Sequence, residues 1–280
     1  MFKRKTEGSV ICTSCGVLVG VNDSTCYNCG RRNPGLWGYG PALRSLGHDL
    51  GFVPIVTGGT ILLFVLSLIL SRNGIQVMLS PSTAILYLLG ASGATPVVGY
   101  GRWWTLLTAA WLHGGVLHIF FNVMWIRSLG PEIANLYGAG RMIIIYTLSS
   151  ITGFALSTAL YMLPVHIPFF GGANITVGAS APIFGLLGAL VYYGRRTGSS
   201  HISQAGLQYA LIAGVMGFIM PGIDNSAHLG GFIGGYALST FFNPLTKERG
   251  DHMIGAAVCL LASFLAVAFS LVRWLLVINA

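Results

Sequence analysis

Charged residues are scarce in this chain of 280 residues: they make up 8% of it, and only seven are Asp or Glu. About a quarter of the residues in a soluble globular domain are charged, so the composition excludes an ordinary soluble domain. Hydrophobic residues make up 54% of the chain, and several runs approach the roughly 20 apolar residues that a membrane-spanning helix needs. We therefore predict an all-α membrane protein.

Two common signals are also missing from the sequence. No apolar run follows the basic residues of segment 1–7, as it would in a secretory signal peptide, and the His-Glu-x-x-His motif of membrane zinc hydrolases does not occur. The net charge of +8 could indicate a nucleic-acid partner. Basic residues also collect in the cytoplasmic loops of membrane proteins, and we prefer this explanation, so nucleic acid is not expected as a partner.

Four of the five cysteines form two Cys-x-x-Cys pairs near the N-terminus. Four thiolates from two such pairs can close a tetrahedral site for structural Zn²⁺, and so small a module would depend on the metal for folding. Two disulfides or free thiols are the alternatives, and the disulfides need an oxidising compartment. The predicted ligands of this zinc-ribbon-like module are Cys12, Cys15, Cys26 and Cys29.

The apolar segments predict a bundle of six transmembrane helices plus a seventh C-terminal helix. They lie at about 53–71, 105–129, 142–163, 180–194, 205–220, 227–242 and 253–278. We accordingly divide the chain into a zinc-ribbon-like module at 1–35, a linker at 36–52, a six-helix core at 53–242, and a loop with the seventh helix at 243–280.

The basic residues predict the orientation of this bundle. With the N-terminus in the cytoplasm, twelve of the fifteen Lys and Arg residues fall on the cytoplasmic side, and Arg72, Arg102 and Arg273 fall on the other. Such a bias is typical of membrane proteins. It predicts a multi-pass protein of the cell membrane, with the zinc module in the cytoplasm and the C-terminus on the opposite side.

The fourth apolar segment is too short to cross the bilayer. A helix over 180–194 would be roughly 22 Å long, less than the ~30 Å hydrocarbon layer. Arg195 and Arg196 fix its cytoplasmic end, so Ser180 must lie below the outer surface. The preceding segment 168–176 is not helical in character, and irregular backbone at that depth must be buried in protein or line a water-filled cavity. We therefore expect an outward-open cavity with Ser180 at its base.

Ser180 and His228 each begin a predicted helix on this outer side. Ser180 could simply cap its helix, and His228 could be a packed interfacial histidine. Gly185, Gly231 and Gly235 would let the two helices approach closely, whether for ordinary packing or to join a nucleophile and its base.

A third polar cluster lies near the outer end of the second segment. His118 and Asn122 are four residues apart and share one helix face, where they could stabilise an oxyanion. Alternatively, His113 and His118 could bind a metal together with His228. Asp224 could orient His228 as the aspartate of a triad, but a Ser–His dyad is the simpler hypothesis.

These motifs together resemble the rhomboid intramembrane serine proteases over about residues 53–242. Segment 178–180 resembles the family's GxS nucleophile motif, segment 227–235 its AHxxGxxxG motif with His228 as base, and segment 118–122 its HxxxN motif. The resemblance further matches Phe184 to an aromatic residue that packs on the base, Glu132 to a structural acid, and Arg102-Trp103 to a Trp-Arg pair in reversed order. Ala181 departs from the family, which usually has glycine there, and its methyl group could crowd the oxyanion site.

The resemblance implies a serine endopeptidase that cleaves transmembrane segments of single-span membrane proteins. Ser180 would attack and His228 would take the proton, while His118, Asn122 and the Ser180 N–H would hold the oxyanion; no cofactor is implied for catalysis. The alternative is a catalytically silent rhomboid-like adaptor that binds transmembrane helices. Membrane lipids and a cytosolic protein bound by the zinc module are the other expected partners.

Overall fold

In the computed structural model, the described residues are 3–13, 15–44, 47–71, 79–165, 167–220 and 222–278. Within these ranges the chain forms a small two-stranded module followed by a bundle of helices. The mostly helical architecture confirms the predicted fold class. Arg72, which the charge analysis placed on the outer side, lies outside the described residues.

The N-terminal module is a short antiparallel hairpin of strands β1 (Ser9–Ile11) and β2 (Leu18–Gly20). Val10 pairs with Val19, and both are buried while their strand neighbours are more exposed, as the two-residue period of a strand requires. Cys12 and Cys26 are buried against these valines. So little apolar surface gives the hairpin a very small core.

Part of the segment that the sequence assigns to a linker packs on this module. A 3-10 turn at Leu36–Gly38 is followed by the short helix α1 (Gly40–Arg44). The N–H of Lys5 donates to the carbonyl of Gly38 over 2.9 Å. A Cβ at Gly38, whose φ is +86°, would lie 1.9 Å from the Lys5 carbonyl oxygen, so only glycine fits there.

The remaining elements are helices. They are α2 (Phe52–Leu70), α3 (Thr83–Leu89), α4 (Thr105–Thr108), α5 (Val116–Tyr137), α6 (Ala139–Tyr161), α7 (Ser180–Thr197), α8 (Ser200–Ile219), α9 (Asn225–Phe241) and α10 (Gly250–Ile278), with a π turn at Thr95–Gly99 and a 3-10 turn at Ala109–Trp111.

Four of the described helices are long and apolar enough to cross a membrane: α2, α6, α8 and α10. A fifth span results if Thr105–Trp111 and α5, which meet at a bend of 95°, count as one broken span. Helices α7 and α9 do not meet the criteria of length and apolar composition that identify these spans. The chain is thus a multi-pass membrane protein, and the full set of seven spans stays a prediction.

Helix α7 lies at the centre of the bundle, where it contacts α5, α6, α8 and α9. Leu186, Leu187 and Ala189 are fully buried in it. Its contact with α9 is a backbone approach, since a Cβ at Gly188 would lie 2.2 Å from the Phe232 carbonyl oxygen. Small residues permit such close helix packing, and it holds the start of α7 against the start of α9.

Arg141 fastens the loop before α10 to the start of α6. Its side chain is buried, and its guanidinium donates to the carbonyl oxygens of Asn243, Thr246 and Lys247 over 2.9–3.0 Å. Its Nε also donates to His252 Nδ1 over 3.0 Å. A buried charge needs such partners, and this network connects α10 to the core.

The long segment between α2 and α5 is held by Arg102, which is 6% exposed. Its guanidinium donates to the Tyr87 carbonyl over 2.9 Å and lies over the Tyr87 and Trp104 rings. The Trp104 Nε1 donates to the Ser270 hydroxyl of α10 over 2.9 Å. The segment is therefore anchored despite the reversed Arg-Trp order, and it packs on α10.

Candidate active site

Ser180 is the first residue of α7, and its side chain is partly exposed. The backbone that leads to it is extended: Ser92 and Thr176 exchange two backbone hydrogen bonds of 3.0 and 2.8 Å, and the Gly178 N–H donates to the Ala109 carbonyl over 2.9 Å. As the sequence predicts, this segment is irregular. Several of its polar backbone groups are thus satisfied by protein, as irregular backbone at membrane depth requires.

The side chains of His118 and Ser180 both lie close to Gly178. A Cβ at Gly178, whose φ is +132°, would lie 2.6 Å from His118 Nε2 and 3.6 Å from Ser180 Oγ. The Gly114 N–H donates to His118 Nδ1 over 3.4 Å. The neutral imidazole consequently has its proton on Nε2, the atom next to Gly178, where it can act as a donor.

His228 lies in the first turn of α9 and is 7% exposed. Its ring stacks on Phe184 of α7, with centroids 4.2 Å apart and planes inclined by 11°. No hydrogen bond joins Ser180 to His228 among the described residues. Such bonds are often long without substrate, so the geometry is compatible with a base beside its nucleophile.

Asn122 is buried one turn after His118, and its Nδ2 donates to the His118 carbonyl over 2.8 Å. The second hydrogen of this amide stays available for another acceptor. The structure thus places His118 Nε2 and Ser180 Oγ near Gly178, His228 against Phe184 one turn after Ser180, and Asn122 beside His118.

A family profile described as the rhomboid domain matches residues 100–245, which is more than half of the chain. The chain belongs to the rhomboid family. The resemblance drawn from the sequence motifs is therefore confirmed, and the four polar residues described above all lie within the rhomboid domain.

Several curated proteins are similar to this rhomboid chain. Rhomboid protease GluP of Bacillus subtilis (strain 168) is 34% identical over 194 residues, which cover 68% of this chain and 35% of GluP. RHOMBOID-like protein 4 of Arabidopsis thaliana is 32% identical over 165 residues, or 58% of this chain and 39% of that protein. YdcA of Bacillus subtilis (strain 168) is 33% identical over 201 residues, or 70% of this chain and 92% of YdcA. The chain therefore spans well under half of the first two relatives and nearly all of YdcA.

Asp224 does not orient His228 in this rhomboid domain. One of its carboxylate oxygens accepts from the Ala227 N–H over 3.0 Å, which caps α9, and the other accepts from the Ser157 hydroxyl. The Nδ1 atom of His228 is buried without a hydrogen-bond partner. Among the described residues, the His228 ring thus has the Phe184 ring packed on its face and no carboxylate at Nδ1.

His113 is a residue whose place in the site the sequence does not specify. Its Nε2 accepts from the N–H of Ala179, the residue before Ser180, over 3.4 Å, and its ring lies edge-on to His118 at 5.1 Å. It therefore contacts both the loop before Ser180 and the predicted oxyanion donor. Among the described residues, His113, His118 and His228 do not form a group with metal-site spacing.

Ala181 packs away from the histidines. Its side chain is fully buried in an apolar cluster with Phe154 and Ala227. A Cβ built on Gly153 of α6 would lie 2.7 Å from the Ala181 Cβ. The methyl group thus occupies space that Gly153 leaves open in α6.

The four N-terminal cysteines form a cluster that could hold a metal ion. Their sulfur atoms all lie within 4.8 Å of one another, with Cys12 and Cys29 3.8 Å apart and Cys15 and Cys26 3.5 Å apart. Zn–S bonds of about 2.3 Å in a tetrahedron put sulfur atoms about 3.8 Å apart, so the ligand set fits the ion. The Val17 N–H lowers the pKa of Cys15 to about 6, which favours the thiolate that a metal needs.

Proposed function

We propose that this chain is an intramembrane serine endopeptidase that cleaves transmembrane segments of membrane proteins. The observation that supports it best is the convergence of Ser180 Oγ and His118 Nε2 on Gly178, beside the Phe184–His228 stack. The similarity to Rhomboid protease GluP supports the same activity. The first turns of α5, α7 and α9 provide an oxyanion donor, a hydroxyl and a base respectively, which are the groups that acyl transfer requires.

In the proposed mechanism the Ser180 Oγ attacks the scissile carbonyl carbon and His228 accepts the hydroxyl proton. The carbonyl oxygen becomes an oxyanion that is held by His118 Nε2–H, the free Asn122 N–H and the Ser180 backbone N–H. His228 then gives its proton to the leaving amine, and an acyl-enzyme on Ser180 remains. Water activated by His228 hydrolyses this ester and restores the hydroxyl group.

The proposed substrates are single-span membrane proteins whose helix unwinds locally. A helical segment shields its carbonyl groups in hydrogen bonds, so the scissile bond must leave the helix to reach Ser180. We further propose that the protein lies in the cell membrane with a cytoplasmic N-terminus. The cysteine module would then hold structural Zn²⁺ on the cytoplasmic side and could bind a protein there.

The test is cleavage of a single-span substrate by the full chain in liposomes, combined with labelling by a fluorophosphonate probe. We expect wild-type protein to cleave and to be labelled, and Ser180→Ala and His228→Ala to lose both signals. Ser200→Ala and His201→Ala are matched controls, because both residues are exposed near the start of α8. Both controls should retain full activity.

Two results would contradict this proposal. Full cleavage by Ser180→Ala would remove the nucleophile from the mechanism. A wild-type protein that binds substrate helices but neither cleaves them nor reacts with the probe would instead be the catalytically silent adaptor.

A further inference from the structure

Arg102 and Arg273 line one surface cavity of about 140 Å³ between the segment before α4 and the C-terminal half of α10. The rest of its wall is aromatic and apolar, and it includes Tyr87, Tyr100 and Trp274. Both guanidinium groups lie against the same indole, at 5.7 and 5.4 Å from the Trp104 ring. Two cations are therefore held on one aromatic side chain.

No acidic side chain of the neighbouring sequence can neutralise these two charges. The chain has no Asp or Glu between Asp49 and Glu132, and none after Asp251. Neither arginine takes part in a salt bridge among the described residues. Two unneutralised like charges near each other repel, and a bound anion would relieve that repulsion.

The donors for such an anion are present. Arg102 is 6% exposed, and its Nε is buried without a hydrogen-bond partner, although its other nitrogens donate to the Tyr87 and Leu88 carbonyls. A buried N–H without a partner is costly and indicates an acceptor that completes the site. Arg273 is exposed and makes no described hydrogen bond, so its guanidinium can turn toward the same ligand.

The surroundings indicate the source of the anion. Beyond the cavity, α10 presents an exposed apolar face that includes Val272 and Leu276, which are 53% and 66% exposed. In a helix that crosses a membrane, such a face contacts acyl chains. Arginine binds phosphate well, because its guanidinium can donate to two phosphate oxygens at once. A phosphate with attached acyl chains fits both parts of the surface.

We propose that Arg102 and Arg273 bind the phosphate group of an anionic phospholipid, with the acyl chains along α10. The lipid would join the segment before α4 to α10. This site is distinct from Ser180 and His228 and does not depend on the proposed protease activity.

The test is lipid binding by the full chain in neutral detergent, with phosphatidylglycerol adducts counted by native mass spectrometry. We expect wild type to bind one phosphatidylglycerol preferentially and Arg273→Gln to bind it roughly tenfold more weakly, since one charged hydrogen-bond partner is lost. Arg273→Lys keeps the charge and should bind more tightly than Arg273→Gln. Arg127→Gln is the control, because Arg127 is an exposed arginine on α5.

Arg273→Gln leaves the buried Arg102 anchor in place, and equal thermal unfolding of the lipid-free proteins will show that the variant is folded. Equal binding by wild type and Arg273→Gln would overturn the site. Binding of soluble glycerol phosphate as tight as that of phosphatidylglycerol would overturn the assignment to a lipid.

Discussion

Phe184 and His228 stack face to face, with ring centroids 4.2 Å apart and planes inclined by only 11°. Phe184 lies one turn after Ser180 on α7, so the stack ties the orientation of the imidazole to the helix that begins with the nucleophile. Asp224 does not do this in the described part of the chain, because its carboxylate caps α9 and accepts from Ser157. We therefore expect the Phe184 ring to orient the imidazole in the proposed dyad.

Replacing Phe184 by leucine should lower kcat and leave KM nearly unchanged. Aromatic pairs contribute about 0.5–1.5 kcal/mol beyond area burial, so we expect a decrease in kcat of up to about tenfold. Steady-state cleavage of a reconstituted single-span substrate measures both constants. Phe241→Leu is the control, because Phe241 is 82% exposed. An unchanged kcat in Phe184→Leu would show that the stack does not orient the base.

Replacing Ala181 by glycine should destabilise the protein without raising its activity. The methyl group is buried against Gly153, and its loss should cost roughly 1–2 kcal/mol of unfolding free energy from lost burial and lower helix propensity. Denaturant unfolding in detergent and the cleavage rate are the two measurements. A marked increase in kcat would mean instead that the methyl group obstructs the oxyanion site.

Replacing Gly231 by alanine should separate α7 from α9 and abolish cleavage. The added Cβ would lie 2.0 Å from the Ala181 carbonyl oxygen, a distance that no side-chain rotation can relieve. Gly214→Ala is the matched control, because a Cβ at Gly214 of α8 meets nothing within 4 Å. The substrate assay compares the two variants, and equal wild-type activity in both would contradict the close helix contact.

Replacing Arg141 by methionine should loosen the connection to α10. Three carbonyl groups and His252 would each lose one donor, which should lower the free energy of unfolding by roughly 2–5 kcal/mol. Hydrogen exchange of residues 243–249 should increase at the same time. Arg127→Met, at an exposed arginine, should change neither quantity. Unaltered exchange in Arg141→Met would show that the Arg141 hydrogen bonds do not hold this loop.

Removal of the metal should unfold the cysteine module and leave the helices intact. The module has a very small core, so its folding free energy should come chiefly from the ion. After treatment with a zinc chelator, amide exchange of segment 9–20 should rise while that of α6 and α7 stays constant. Cys12→Ser should behave like chelated protein, and Cys259→Ser should not. Unchanged exchange after complete loss of zinc would contradict the prediction.

The sequence by itself determined the class of the protein and the residues of its candidate site. Scarce charge and long apolar runs require a membrane bundle, because lipid excludes unpaired polar groups. The spacing of the cysteine pairs determined the metal-site prediction, since neighbouring residues on a short turn must present their thiols together. Ser180, His228, His118 and Asn122 were likewise recognisable from local motifs, which depend only on their position along the chain.

Contacts between distant segments were decided by the tertiary structure alone. The sequence left open whether Asp224 assists His228 and whether the Ala181 methyl crowds the oxyanion site. The answers depend on Ser157 and Gly153 of α6, which approach only when the helices pack. The hydrogen bonds of Arg141 and the cavity lined by Arg102 and Arg273 also involve segments that are more than 100 residues apart in the sequence. A motif records which groups are present, but helix packing decides which of them meet and in which direction each side chain points.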